Sequence, residues 1–159
     1  SIKLNNLENR FEIINKNIKD LESVFDKNSF DFIITNPPYK KMDTGKTNEN
    51  SKKLISRHEI TATLKDFIKI SYIMLKDKGT LYMVHKPERL VDIIYQLRKN
   101  KIEPKEIRFV HPYEKKEPNL ILIKAVKNGG QFLKIDKPLY VYNERGEYTE
   151  EILKIYNKM

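Results

Sequence analysis

Hydrophobic residues along the chain form short apolar runs separated by stripes with helical spacing. The runs are rich in β-branched and aromatic residues, which predicts strands. They lie at residues 11–15, 30–35, 80–85, 107–110, 120–126 and 139–142. Between them, helical spacing predicts a helix over residues 58–78 that ends at Gly79, and a second helix after Pro87. Alternating strands and helices indicate an α/β fold with a mostly parallel sheet, in which the runs at 107–110 and 120–126 form an antiparallel pair.

Local signals predict the remaining connections. Residues 1–10 read as the end of a helix, and residues 20–27 as a short helical connection. Pro104 predicts a turn, as do residues 143–146. Thr149 is expected to cap a final short helix, with Glu150 and Glu151 suited to the positive end of its dipole.

The strand at residues 30–35 is predicted to be buried and to end in an unusual way, because Asn36, Pro37, Pro38 and Tyr39 follow it. Prolines have no backbone N–H to donate, so regular strand pairing should stop at Asn36. An amide and an aromatic ring are thereby left at the carboxyl end of a strand, where open α/β sheets bind their ligands. A strand that simply ends in a proline turn is the alternative reading.

The four residues Asn36-Pro37-Pro38-Tyr39 resemble the signature of S-adenosylmethionine-dependent methyltransferases that act on amino or amide nitrogens. The resemblance implies that the Asn36 side-chain oxygen and the Pro37 carbonyl accept hydrogen bonds from the target N–H groups. Tyr39 would stack on the flat target group and orient it. All four residues are therefore predicted to be catalytic, and Asn36 also to contact the cofactor.

Further segments resemble the bacterial valine-tRNA adenine-N6 methyltransferase family. They are Ser56-Arg57-His58-Glu59, residues 84–89, residues 108–112, Glu117-Pro118-Asn119 and residues 138–142. The resemblance implies a Rossmann-like class I methyltransferase sheet, S-adenosyl-L-methionine as methyl donor, and methylation of an adenine N6 in RNA, specifically tRNA. It also places Asn17 and Ile18 against the adenine of the cofactor, although an ordinary Asx turn at Asn17 is the common alternative.

The same resemblance implies a gap upstream of the catalytic segment. That family holds its cofactor with a glycine-rich turn before the catalytic strand, whereas the first glycine here is Gly45. We therefore expect residues 1–159 to be a partial methyltransferase domain that lacks the first two strands and is inactive alone. The strand at residues 30–36 would then expose an edge open to self-association.

Basic residues near the predicted site indicate a polyanionic substrate. Residues 40–57 carry six basic and two acidic side chains without any periodicity. The predicted substrate contacts are Lys40, Lys41, Arg57, His58, Lys86 and Arg89. Simple solvation of these side chains is the alternative.

Composition limits the classes of protein and of binding partner that fit this chain. The 159 residues carry a net charge of +9, which favours a nucleic-acid partner unless it merely reflects a lysine-rich proteome. No cysteine and no run long enough to span a bilayer are present, so a cytoplasmic protein without membrane partners is expected. The histidines His58, His85 and His111 lack the spacing of a metal site. A protein glutamine-amide methyltransferase and a non-catalytic nucleic-acid-binding module remain as alternatives.

Overall fold

A computed structural model describes residues 9–39 and 62–157. The strands are β1 (Phe30–Thr35), β2 (Leu75–His85), β3 (Ile102–His111), β4 (Leu120–Lys127), β5 (Lys134–Ile135) and β6 (Leu139–Tyr140). The α-helices are α1 (Leu64–Met74), α2 (Leu90–Lys99) and α3 (Glu150–Ile155), and short 3-10 helices span Ile18–Ser23 and Pro87–Arg89. The predicted loop at residues 40–57, the proposed contacts Lys40, Lys41, Arg57 and His58, and residues 1–8 lie outside the described ranges.

The strands form one sheet in the order β1-β2-β4-β3-β5, and β6 also pairs with β3. β1 is parallel to β2, β4 is antiparallel to both β2 and β3, and β5 and β6 are parallel to β3. Five of the six described strands therefore run in one direction, and β4 is inserted between two of them in the opposite direction. This confirms the mostly parallel sheet and its antiparallel C-terminal pair. The carboxyl ends of β1, β2 and β3 consequently meet at one edge of the sheet.

Helices α1 and α2 cover one face of this sheet and close the main core. Ile68 on α1 and Ile93 and Leu97 on α2 are completely buried, as their helical spacing predicted. They pack against the inward-facing residues of β2 and β4, among them Leu81 and Ile121. Helix α1 begins with a reciprocal capping box between Thr63 and Asp66, which satisfies two backbone N–H groups of its first turn.

Helix α1 ends at Met74, four residues before the predicted end, because Leu75 already has extended backbone angles and pairs with Phe30 of β1. Pairing between the two strands is irregular until Thr80, which lies opposite Phe32. Gly79 therefore belongs to β2 and does not terminate the helix. A Cβ atom at Gly79 would lie 2.9 Å from the Lys76 carbonyl oxygen and 3.1 Å from the Asp31 carbonyl oxygen.

Replacing Gly79 by alanine is expected to destabilise the fold, because both crowded atoms belong to the backbone and cannot rotate away. We expect a loss of about 1–3 kcal/mol in the free energy of unfolding, measured by urea denaturation. Gly130→Ala is the matched control, since a Cβ atom there meets nothing within 4 Å. Equal stability of the two variants would contradict the crowding at Gly79.

Pro104 lies inside β3, so the turn predicted there is wrong. The β3–β4 register shifts between Pro104 and Glu106, which marks a local irregularity. A proline is tolerated at such a position because the missing N–H need not complete a regular ladder. The antiparallel pairing continues on both sides of the shift, from Ile102 to Val110.

Two predictions about the amino-terminal strands are wrong. Residues 11–15 do not form a strand, and the side chains of Phe11 and Ile13 are mostly exposed. β1 exists as predicted but is not buried: Phe32 is 60% and Ile34 is 73% exposed. Among the described residues, β1 has one neighbouring strand and no helix on the face that carries Phe32 and Ile34. Self-association along this edge stays a prediction.

The C-terminal signals are confirmed. The Asn143 side-chain oxygen accepts hydrogen bonds from the backbone N–H groups of Arg145 and Glu147, and Gly146 adopts a positive φ of 82°. Thr149 caps α3 by accepting from the backbone N–H of Ile152. These contacts depend on residues close in sequence, which is why local chemistry was sufficient to predict them.

Candidate active site

Residues 36–39 leave the carboxyl end of β1 with their side chains in distinct environments. Pro37 is fully buried and anchors the segment, whereas Asn36 and Pro38 are exposed and Tyr39 is half-buried. No residue in the described part of the chain hydrogen-bonds the Asn36 side chain. The segment is thus held by a proline while its amide remains available to a ligand.

The end of β2 supplies the second wall of the site, because Thr35 pairs with Met83 and both strands end at the same edge. The rings of Tyr39 and His85 meet edge to face, with centroids 5.1 Å apart and planes at 67°. The Lys86 Nζ atom lies 5.6 Å from the centroid of the Tyr39 ring and 3.3 Å from the carbonyl oxygen of Asn119. Lys86, predicted as a substrate contact, is therefore brought to the 36–39 segment.

His85 is the least exposed polar residue of the site. Its side chain is completely buried, and its Nδ1 atom accepts a hydrogen bond of 2.8 Å from the backbone N–H of Lys86. Within the described residues, its Nε2 atom has no hydrogen-bond partner. Burial lowers the pKa of His85 below its ordinary value of 6.5, the Arg89 charge lowers it further, and the Glu88 charge opposes them.

Arg89 pairs with an acidic side chain in the first turn of α2. Its Nε atom donates to the Asp92 carboxylate at 2.8 Å, and its side chain is only 16% exposed. The pair closes the first turn of α2. A role for Arg89 in contacting substrate stays a prediction.

The predicted cofactor contacts Asn17 and Ile18 lie at the start of the first 3-10 helix. The Asn17 side chain caps this helix by accepting from the backbone N–H of Lys19, which is the Asx-turn geometry. Ile18 lines a cavity of about 340 Å³ together with Thr35, the residue that precedes Asn36. The structure therefore brings Ile18 close to the end of β1, while one lone pair of the Asn17 oxygen is already used.

The sequence placed His85 in the family-like segment 84–89 and without the spacing of a metal ligand, but its contact with Tyr39 was missed. No sequence signal marks that contact, since it depends on the register between β1 and β2. Among residues 9–39 and 62–157, no cluster of three or more histidine, aspartate or glutamate side chains suits a metal ion. No helix in these ranges is long and apolar enough to cross a membrane.

A model of the Eco57I restriction-modification methylase family matches residues 1–118. The chain belongs to this family of methylases. The matched residues include the 36–39 segment, His85 and Lys86. No curated protein sequence matches the chain.

Solved structures confirm the class I methyltransferase fold for this Eco57I-type methylase chain. A predicted O-methyltransferase from Agrobacterium tumefaciens aligns over 99% of the chain and 69% of its own length, with a TM-score of 0.76 and 17% identity. A modification subunit of a candidate type I restriction enzyme from Vibrio vulnificus YJ016 aligns over 98% of the chain, with a TM-score of 0.52 and 16% identity. The chain spans 36% of the Vibrio protein.

A candidate DNA modification methylase from Thermus thermophilus, solved in complex with S-adenosyl-L-methionine, is also similar. It covers 87% of the methylase chain with a TM-score of 0.51 and 16% identity, and the chain spans 58% of it. At these identities the likeness establishes the fold alone. The predicted tRNA substrate finds no support in these comparisons, in which the named modification systems act on DNA or belong to restriction enzymes.

Proposed function

We propose that this chain forms the catalytic part of a methylase that transfers a methyl group to the exocyclic N6 amine of adenine in DNA. The observation that supports this most is the position of the exposed Asn36 amide beside the half-buried Tyr39 ring at the carboxyl edge of the sheet. No described residue hydrogen-bonds this amide. S-adenosyl-L-methionine is the methyl donor, in agreement with the methylase family and with the bound cofactor of the Thermus structure.

The 36–39 segment would act by gripping the target amine. The amine lone pair of adenine is delocalised into the ring, so the nitrogen must pyramidalise before it becomes a nucleophile. Acceptors that hold both N–H groups out of the ring plane favour that change, and the Asn36 oxygen and Pro37 carbonyl are such acceptors. When bound, the cofactor would supply a methyl group on a sulfonium, which the target nitrogen would take up with cleavage of the C–S bond. The surplus N–H proton then leaves to solvent.

The described part of the chain offers a few contacts to this cofactor. Asn36 is accessible, and Ile18 and Thr35 line the adjoining cavity of about 340 Å³, a volume at the small end of ligand sites. Ile18 would pack on the adenine ring of the cofactor, and Asn17 would offer its remaining lone pair to the ring amino group. These assignments come from the family resemblance, and the position of Ile18 near the end of β1 supports them.

The substrate assignment rests on charge and family together. A net charge of +9 favours a nucleic acid over a protein glutamine side chain. The restriction-modification family favours DNA over the RNA that the sequence resemblance implied. Lys86, which lies above the Tyr39 ring, is the described cation best placed to meet a phosphate near an extruded base.

Replacing Tyr39 by alanine is expected to reduce kcat/KM, because stacking on an extruded base contributes about 1–3 kcal/mol, or roughly 5- to 150-fold. Tyr39→Phe keeps the flat ring and should retain most of the activity, which separates stacking from any role of the hydroxyl. Initial rates with labelled cofactor provide the measurement. If Tyr39→Phe is as impaired as Tyr39→Ala, stacking is not the function of this ring.

The decisive test of the function uses the product of the complete reading frame with radiolabelled S-adenosyl-L-methionine. Three acceptors are compared at equal concentration: an adenine-containing DNA duplex, an RNA stem-loop and a glutamine-containing peptide. We expect label only in the DNA, recovered as N6-methyladenine after digestion. Label in the RNA alone would restore the tRNA-type substrate, and label in the peptide would overturn the nucleic-acid assignment.

A further inference from the structure

The imidazole of His85 has an asymmetric environment that determines its tautomer. Its Nδ1 atom accepts a hydrogen bond from the backbone N–H of Lys86, so a neutral ring must carry its proton on Nε2. The side chain is 0% exposed, and the Nε2 atom has no partner in the described residues. A buried donor without a partner is uncommon and points to a function at the site.

The neighbour that this ring does have is Tyr39. An edge-to-face arrangement with centroids 5.1 Å apart is the geometry in which a positive ring edge meets the negative face of another ring. The His85 ring thus packs against one side of Tyr39, and the Lys86 Nζ atom lies 5.6 Å from the centroid of the Tyr39 ring.

We propose that His85 is a positioning residue that holds Tyr39 in the orientation required to stack on the target base, and that it does so only as the neutral Nε2–H tautomer. The proposal rests on the proposed function, in which Tyr39 stacks on that base. His85 itself contacts neither the substrate nor the cofactor in this assignment.

Protonation would dismantle the arrangement. A second proton can add only at Nδ1, where it would face the Lys86 N–H across 2.8 Å as donor against donor. The ring would have to turn, and the Lys86 backbone beside it would move. Among the described residues, the charged and titratable groups around His85 are Tyr39 and Lys86, with Glu88 and Arg89 from the second 3-10 helix. Because burial holds the pKa of His85 below 6.5, the neutral form prevails at pH 7–8.

The sign of the pH effect follows from this lowered pKa. The unfolded chain binds more protons than the folded chain between the lowered pKa and 6.5, so stability falls as pH decreases through that window. Positioning of Tyr39 is lost in the same direction. The rate of the wild-type enzyme should therefore decrease at acid pH, by no more than the roughly 5- to 150-fold expected for complete loss of Tyr39 stacking.

The first test reads the rings directly and does not require catalysis. Long-range ¹H–¹⁵N spectra of the protein between pH 8 and pH 5 should show His85 as the Nε2–H tautomer at pH 8. Its titration should coincide with a shift of the Tyr39 ring signals, assigned with Tyr39→Phe. An Nδ1–H tautomer at pH 8, or a His85 titration that leaves the Tyr39 signals unchanged, would overturn the proposal. If both rings behave as predicted but the protein transfers no methyl group to DNA, the proposed function alone is rejected.

The second test compares His85→Phe with His111→Phe. His111 ends β3, which β4 separates from β2, and its ring lies 5.4 Å from that of Tyr140. It therefore forms a matched histidine–tyrosine pair that does not include the 36–39 segment. His85→Phe should abolish the acid decrease in rate while raising KM for DNA by about two- to tenfold at pH 8. His111→Phe should keep the wild-type pH profile. A wild-type pH profile in His85→Phe would refute the role of His85. Circular dichroism at each pH distinguishes a change in rate from unfolding of the variant.

Discussion

Asn36→Ala is expected to lower kcat by about 10²–10³-fold, the effect of removing one preorganised hydrogen-bonding group that acts on the transition state. The alanine cannot accept a hydrogen bond from the target amine, so only the Pro37 carbonyl would remain to pyramidalise the nitrogen. Single-turnover methylation of duplex DNA with labelled cofactor measures the effect directly, without a contribution from product release.

The structure makes this a clean substitution. Asn36 is exposed, and no described residue hydrogen-bonds its side chain, so its removal should leave the melting temperature and DNA affinity nearly unchanged. Asn36→Asp is the matched control, because a carboxylate oxygen also accepts hydrogen bonds. It should be more active than Asn36→Ala. If the alanine variant keeps its activity within about fivefold of wild type, the amine-gripping role of Asn36 is excluded.

Lys127→Met is expected to cause the largest loss of stability among the substitutions considered, about 2–4 kcal/mol in the free energy of unfolding. Lys127 is 6% exposed at the end of β4. Its Nζ atom donates to the Asn28 side-chain oxygen and to the Tyr72 and Leu75 carbonyl oxygens, each at 2.7 Å. It also lies 4.4 Å from the centroid of the Tyr72 ring. Methionine would fill the space but leave these oxygens without their donor.

Thermal unfolding followed by circular dichroism measures the prediction, with a decrease in Tm of roughly 4–16 °C for a chain of this size. Lys124→Met is the matched control on the same strand. Lys124 pairs with Glu106 at 2.9 Å, but the two side chains are 35% and 39% exposed, so water and salt screen the pair. Its replacement should change Tm far less. Equal decreases for the two variants would show that Lys127 acts through general charge and not through its buried contacts.

Elements whose causes are local were predictable. The helix predicted after Pro87 corresponds to α2, which is capped at Asn100. Asn143 and Thr149 form the predicted turn and cap because their partners lie within a few residues. The wrong predictions are the strand at residues 11–15, the burial of β1, the helix end at Gly79 and the turn at Pro104. Pairing between strands distant in sequence decides the last two.

The residues of the site show the same difference between local causes and contacts that are distant along the chain. The end of β1 at the two prolines was predictable because it has a local cause, whereas the roles of Asn36, Pro37, Pro38 and Tyr39 come from the resemblance and stay a prediction. The placement of Lys86 beside Tyr39 agreed with its position after a strand, whereas Arg89 proved to be paired with Asp92. His85 was missed because its contact with Tyr39 requires two strands to end in register.

The sequence by itself determined the strand that ends at Asn36, the helices on the core face and the chemical groups of the 36–39 segment, since backbone propensity and proline geometry act locally. Only the tertiary structure decided that a buried imidazole abuts Tyr39 and that Lys127 joins β4 to α1. These contacts unite residues that are distant along the chain, and their energies depend on burial, which arises only when the sheet and helices pack together.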